Sequence, residues 1–99
     1  MLKVVWSLEA IDEFDDIYKY WIEKNKSNNF SNKLWNLTHR AILIIQKNPE
    51  LGIQTNESKT RMRLIAKNYY LIYKIKQDQL EILKFWDVRQ NPRKNDYGR

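Results

Sequence analysis

The chain contains no cysteine, which excludes disulfide bonds and thiolate metal sites and leaves nothing that points to an oxidising compartment. Glycine and proline are scarce, two of each in 99 residues, so no flexible linker divides the chain and little interrupts regular structure. Long apolar runs are missing as well. The longest, Ala41 to Ile45, is far below the ~20 residues needed to cross a bilayer. The opening stretch Met1-Leu2-Lys3-Val4-Val5-Trp6 meets acidic residues within a few positions, unlike the apolar core of a secretion signal. These absences predict a soluble, cytoplasmic protein with no membrane partner, and the length suits a single domain over 1–99 with one two-layer core.

With 42% hydrophobic and 13% aromatic residues, the composition is that of a folding chain. Its charge is segregated. Residues 59–99 hold 11 Lys or Arg against 4 acids, whereas residues 1–58 hold 7 bases against 8 acids, so the net +6 resides in the C-terminal part. A one-sided positive field attracts phosphate backbones or acidic protein segments.

Leu2 to Trp6 suits a short strand. Ser7 stands where a helix N-cap belongs, with Glu9 in the first turn, and apolar residues recur at Ala10, Phe14, Ile17, Tyr18 and Trp21, which predicts a helix of about four turns. The acidic cluster Asp12, Glu13, Asp15 and Asp16 falls on its outer face, where it reads as a solvated surface. After a polar break from Lys24 to Ser31, a second stripe runs through Phe30, Leu34, Leu37, Ala41 and Ile44 or Ile45, and Asn48-Pro49 ends it. Glu50 to Lys59 reads as a loop. Arg61-Met62-Arg63-Leu64 alternates with period two, Tyr69 to Lys76 carries Tyr69, Leu71, Tyr73 and Ile75 on one face, and Leu80 to Val88 is apolar on both faces. Lys67-Asn68 and Gln77-Asp78 are the turns between these strands. The expected architecture is α+β, in the order β-α-α-β-β-β, with a helical hairpin on one face of a small, mostly antiparallel twisted sheet. The arginines at the start and finish of the three-strand meander predict a cationic platform on its solvent face.

This order and the residues that fill it resemble the RelE/ParE superfamily of bacterial type II toxin-antitoxin toxins. The resemblance spans nearly the whole chain. It is carried by Val5-Trp6-Ser7 followed by Ala10, by Asn48-Pro49-Glu50-Leu51-Gly52, by Arg63-Leu64 before Tyr69 and Tyr73, and by Arg89-Gln90-Asn91-Pro92. It implies a partner, a cognate antitoxin protein, and, with the arginines and Tyr97 in place, the ribosome as target, where RelE-like members cut mRNA; the alternative is DNA gyrase, which ParE-like members poison without catalysis. It implies no cofactor and no metal.

Cutting RNA by attack of a 2′-hydroxyl needs charge stabilisation on the phosphate together with a proton acceptor and a proton donor. The resemblance assigns the catalytic set to Arg63, Arg89 and Tyr97, with Lys59, Arg61, Arg93 and Lys94 holding nucleic acid through bidentate or single contacts to phosphate. Tyr97 lies at a somewhat different distance from Arg89 than in the family. The position that is basic in RelE itself holds Tyr70, and the one that is histidine in some relatives holds Asp87. The general base is thus open among Glu81, Asp87 and Lys94. His39 reads as a surface or packing residue. Trp6, Trp21 and Trp86 read as core, while Trp35 lies off the second stripe and, with Tyr20, is a candidate aromatic patch for an antitoxin helix.

Overall fold

The computed structural model describes residues 1–89; Arg93, Lys94 and Tyr97 lie outside the described residues. Strand β1 (Lys3–Trp6) leads directly into helix α1 (Leu8–Asn25). Ser7 makes that junction: its Oγ accepts the Ala10 N–H at 3.0 Å while its hydroxyl donates to the Leu83 carbonyl at 2.9 Å. One side chain therefore caps the helix and ties it to the last strand. Helix α1 ends at Lys26 in the left-handed conformation, φ 52, and helix α2 (Asn29–Lys47) returns after only Lys26, Ser27 and Asn28. A 3₁₀ turn (Pro49–Leu51) follows. Four more strands complete the chain, β2 (Ile53–Gln54), β3 (Thr60–Ala66), β4 (Tyr69–Lys76) and β5 (Gln79–Asp87).

The sheet order is β1-β5-β4-β3-β2. Strands β2 to β5 are antiparallel neighbours, and β1 joins β5 in parallel from Lys3↔Gln79 to Trp6↔Ile82. The hairpin packs on one sheet face through Ala10, Phe14 and Ile17 of α1 and Leu34, Ile42 and Ile45 of α2, against Leu71, Tyr73, Leu80, Ile82 and Phe85. Each large side chain buried in this way contributes about 1.5–3 kcal/mol. Among the described residues no helix is long and apolar enough to cross a membrane.

Several expectations are corrected. The stretch Glu50 to Lys59 is not all loop, because Ile53↔Met62 and Gln54↔Arg61 pair as a two-residue strand too short to show a period. The buried face of α2 keeps Leu34, Ala41 and Ile45 of the expected stripe, Ile44 being exposed, but also takes in Ser31 and Thr38, while Phe30 and Leu37 are only half-buried. Two short hydroxyl side chains fit the close helix contact there and satisfy themselves on backbone carbonyls, Ser31 on Tyr18 at 2.7 Å and Thr38 on Leu34 at 2.8 Å. Glu13 does not belong to a solvated acidic face. Strand β1 covers β5 only as far as Ile82, so the following edge of β5 has no neighbouring strand; Glu13 fills it, accepting the Phe85 N–H at 3.1 Å and pairing with Lys84 at 2.8 Å. Lys84 also meets Glu9 at 2.6 Å. Burial alone would lower its pKa, but hydrogen bonds to Glu13 and Glu9 outweigh it and hold the ammonium above the ordinary lysine value.

Candidate functional site

The three described arginines have separate environments. Arg61 stands opposite Tyr73 in the β3–β4 register and Arg63 opposite Leu71, so both project from the face that carries the core and not from the expected solvent platform. Period two placed them together correctly; the helical layer lies on their side. Arg61 is committed to the fold. Its Nη1 donates to the carbonyls of Glu50 at 3.1 Å and Gly52 at 2.8 Å, holding the 3₁₀ turn against the sheet. Arg63 is half-buried and, among the described residues, makes no ion pair.

Arg89 sits two strands away from Arg63, just past the end of β5. Its Nε donates to Asp87 Oδ1 at 3.0 Å and its Nη2 to Asp87 Oδ2 at 2.9 Å, a bidentate fork, and Nη2 also donates to the Tyr69 hydroxyl at 3.0 Å. The backbone N–H of Arg89 closes a turn on the same carboxylate at 2.9 Å. Tyr69 accepts a second bond from the Trp21 indole at 2.7 Å, and the guanidinium lies 5.6 Å from the Tyr69 ring centre and 5.9 Å from that of Trp21. Hydrogen bonding to Asp87 raises the Arg89 pKa further above its already high value. The hollow around it, about 460 Å³, is lined by Glu13, Asp16, Tyr20 and Asp87 among others. Of the three carboxylates that line it, Asp87 is bonded to Arg89 and Glu13 to Lys84, which leaves Asp16 as a further negative charge in a hollow that a phosphate would have to enter.

Of the acid–base candidates, Lys94 lies outside the described residues and the other two are occupied. Asp87 is buried beneath Arg89, its side chain 7% exposed. Glu81 pairs with Lys74 at 3.8 Å on the sheet face away from Arg63. Lys59 is exposed in the β2–β3 loop with φ 61.

The family model described as "ParE toxin of type II toxin-antitoxin system, parDE" matches residues 4–92. The chain belongs to the ParE toxin family. No curated protein matches the sequence. Among solved structures, the toxin is similar to a chain of the chromosomal ParDE system from P. aeruginosa, with 16% identity, 88% of this chain and 96% of that chain covered, and a TM-score of 0.72. It is similar to the YoeB dimer from Staphylococcus aureus at 15% identity, with 85% and 93% covered and a TM-score of 0.63. It is also similar to a chain of the E. coli DinJ-YafQ complex at 12% identity, with 92% and 98% covered and a TM-score of 0.55. These likenesses bear on the fold, a helical hairpin on a mostly antiparallel sheet.

Within the toxin, the candidate partner residues are both exposed, Tyr20 at 53% and Trp35 at 42%, yet they form no common patch. Tyr20 lines the Arg89 hollow, and Trp35 lines a separate groove with Trp6, Ile11 and Tyr18 on the other flank of α1. Trp35 packs on Phe14 at 5.3 Å and on the exposed His39 at 4.1 Å. Sequence reasoning missed the Trp21–Tyr69–Arg89–Asp87 network. The available signal was the two-residue spacing of Asp87 and Arg89, which puts both side chains on one side of an extended chain.

Proposed function

We propose that this chain is a toxin held in check by a cognate antitoxin protein, and that it arrests growth in the cytoplasm by binding DNA gyrase without catalysing a reaction. The observation that carries this reading is the closure of Arg89 on Asp87 and Tyr69. The Nε and Nη2 of Arg89 are already committed to a carboxylate that is doubly bonded and largely withdrawn from water, which leaves only Nη1 to a phosphate, and two further carboxylates, Glu13 and Asp16, line the hollow. Neither Glu81 nor Asp87 is free to take a proton beside Arg63. The antitoxin partner is supported by the family description and by the neighbours solved as toxin-antitoxin systems.

The second reading is a ribosome-dependent mRNA endonuclease using Arg63, Arg89 and Tyr97, with Lys59, Arg61, Arg93 and Lys94 along the RNA. The guanidinium of Arg63, which makes no ion pair among the described residues, favours it. Purified toxin added to a gyrase supercoiling reaction and to a translating extract separates the two. The gyrase reading expects supercoiling to fail in proportion to toxin while reporter mRNA stays intact. Cleaved mRNA by primer extension, lost on Arg63→Ala, with supercoiling unaffected, overturns it.

A further inference from the structure

We infer that the outer face of the helical hairpin, turned away from the sheet, is an interface between two copies of this chain, related by a two-fold axis that sets α1 of each against α2 of the other. Such pairing is independent of the toxin's target. On α1, Leu8 and Ile11 are 80% and 46% exposed, and on α2, Trp35 and Leu43 are 42% and 52% exposed with exposed His39 between them. Spacings of three and four put each set on one side of its helix. Between the helices runs a groove of about 480 Å³, lined by Ile11, Phe14, Tyr18 and Trp35 together with Trp6 and Asp15. Single exposed apolar side chains are ordinary on a monomer, whereas a contiguous set beside a hollow marks a surface of association.

The charges decide the occupant. Helix α1 carries six acids and two bases, whereas α2 carries three bases and no acid. Asp12 on α1 and Arg40 on α2 are exposed and, among the described residues, make no ion pair. An acidic segment laid over this face is repelled by α1, and a basic segment or a polycation by α2. A phosphate backbone meets the same acids. A second copy turned about a two-fold axis presents α2 to α1 and α1 to α2, so both halves meet the opposite sign and every favourable pair occurs twice. Stacking α1 on α1 would instead set like charges together, which fixes the direction of the partner. Helices of 18 and 19 residues, each about 27 Å long, lie side by side and offer a face of the order of the ~800 Å² per partner that a specific interface uses.

The test is sedimentation velocity of the full-length protein over a concentration series. The unaltered chain is expected to pass from monomer to dimer with a Kd in the micromolar range. Asp12→Lys and Arg40→Glu each set like charges across the interface and are expected to weaken association at least about tenfold. Mixed in equal amounts, these two variants are expected to associate within about threefold of the unaltered chain, because the introduced lysine of one meets the introduced glutamate of the other while the remaining Arg40 and Asp12 meet as before. Neither a folding defect nor a contact within one chain gives that recovery. Leu43→Ser, at an exposed position, is expected to weaken the dimer as well, with thermal melting by circular dichroism showing that the fold persists. A monomer up to millimolar concentration, a dimer indifferent to all three substitutions, or no recovery on mixing overturns the proposal. A protein that stays monomeric by itself but binds its antitoxin less tightly on Arg40→Glu gives this face to the antitoxin and also overturns it.

Discussion

Tyr73 is fully buried, yet its hydroxyl organises a turn more than twenty residues away in sequence: it accepts the Gly52 N–H at 2.9 Å and donates to the Pro49 carbonyl at 2.8 Å. A Cβ on residue 52 would lie 2.5 Å from that oxygen, so glycine is required here by closeness and not by backbone angle. Burial raises the Tyr73 pKa above its ordinary 10.0, partly offset by the Gly52 hydrogen bond and by the charges of Arg61 and Arg63. Because the folded value is the higher one, this contribution to stability is complete below 10.0 and is lost as pH rises through the folded value. Tyr73→Phe is expected to cost about 1–3 kcal/mol by stranding the Gly52 N–H and to flatten the alkaline loss, both measured by urea unfolding at neutral and alkaline pH. The two outer arginines make a contrast. Arg89→Ala strips Asp87 of its fork and is expected to lower stability by about 1–3 kcal/mol, whereas Arg63→Ala stays within about 0.5 kcal/mol. Urea melts rank them, and a lost phenotype for Arg89→Ala needs that control first.

Among the elements, β1, α1 and the β3–β4–β5 meander were legible in the sequence because each depends on a local pattern: a period, an N-cap serine, or a turn such as Gln77-Asp78. Helix α2 was legible in extent but only in part in its buried face, where Leu34, Ala41 and Ile45 are buried as the stripe requires. Hydrophobic periodicity credits Leu37 and leaves Ile44 or Ile45 open, while the contact with α1 and the sheet buries Ile45 together with Ser31 and Thr38, polar residues that no apolar stripe includes. Leu34→Ala is accordingly expected to cost about 2–5 kcal/mol and Leu37→Ala clearly less, as read from their unfolding midpoints. The candidate site was legible only as residue types. Arg61, Arg63 and Arg89 look equivalent in the sequence, and what separates them, a pair of loop carbonyls, an open face and a buried aspartate, depends on strand register and distant partners. Glu13 was misread for the same reason, since its partners on β5 lie 71 and 72 positions away.

At the scale of the whole molecule, the charge asymmetry predicts that association with an acidic partner segment weakens with rising salt; titration at low and high ionic strength checks it, and an unchanged affinity means that apolar contact dominates. The sheet order has a different consequence. Strand β5, the last described to leave the ribosome, lies between β1, the first, and β4, and both Ser7 and Glu13 find their partners on it. Many domains fold progressively from the N-terminus as they are made, but here β1 and the flank of α1 have nothing to close against until β5 emerges, and pairing across so long a separation is intrinsically slow. A chain ended after Lys76 is expected to show no cooperative unfolding transition and to arrest no growth. The sheet therefore has a closing time set by translation: however early β1 and α1 are made, the layer they belong to is completed only once β5 is available to both neighbours.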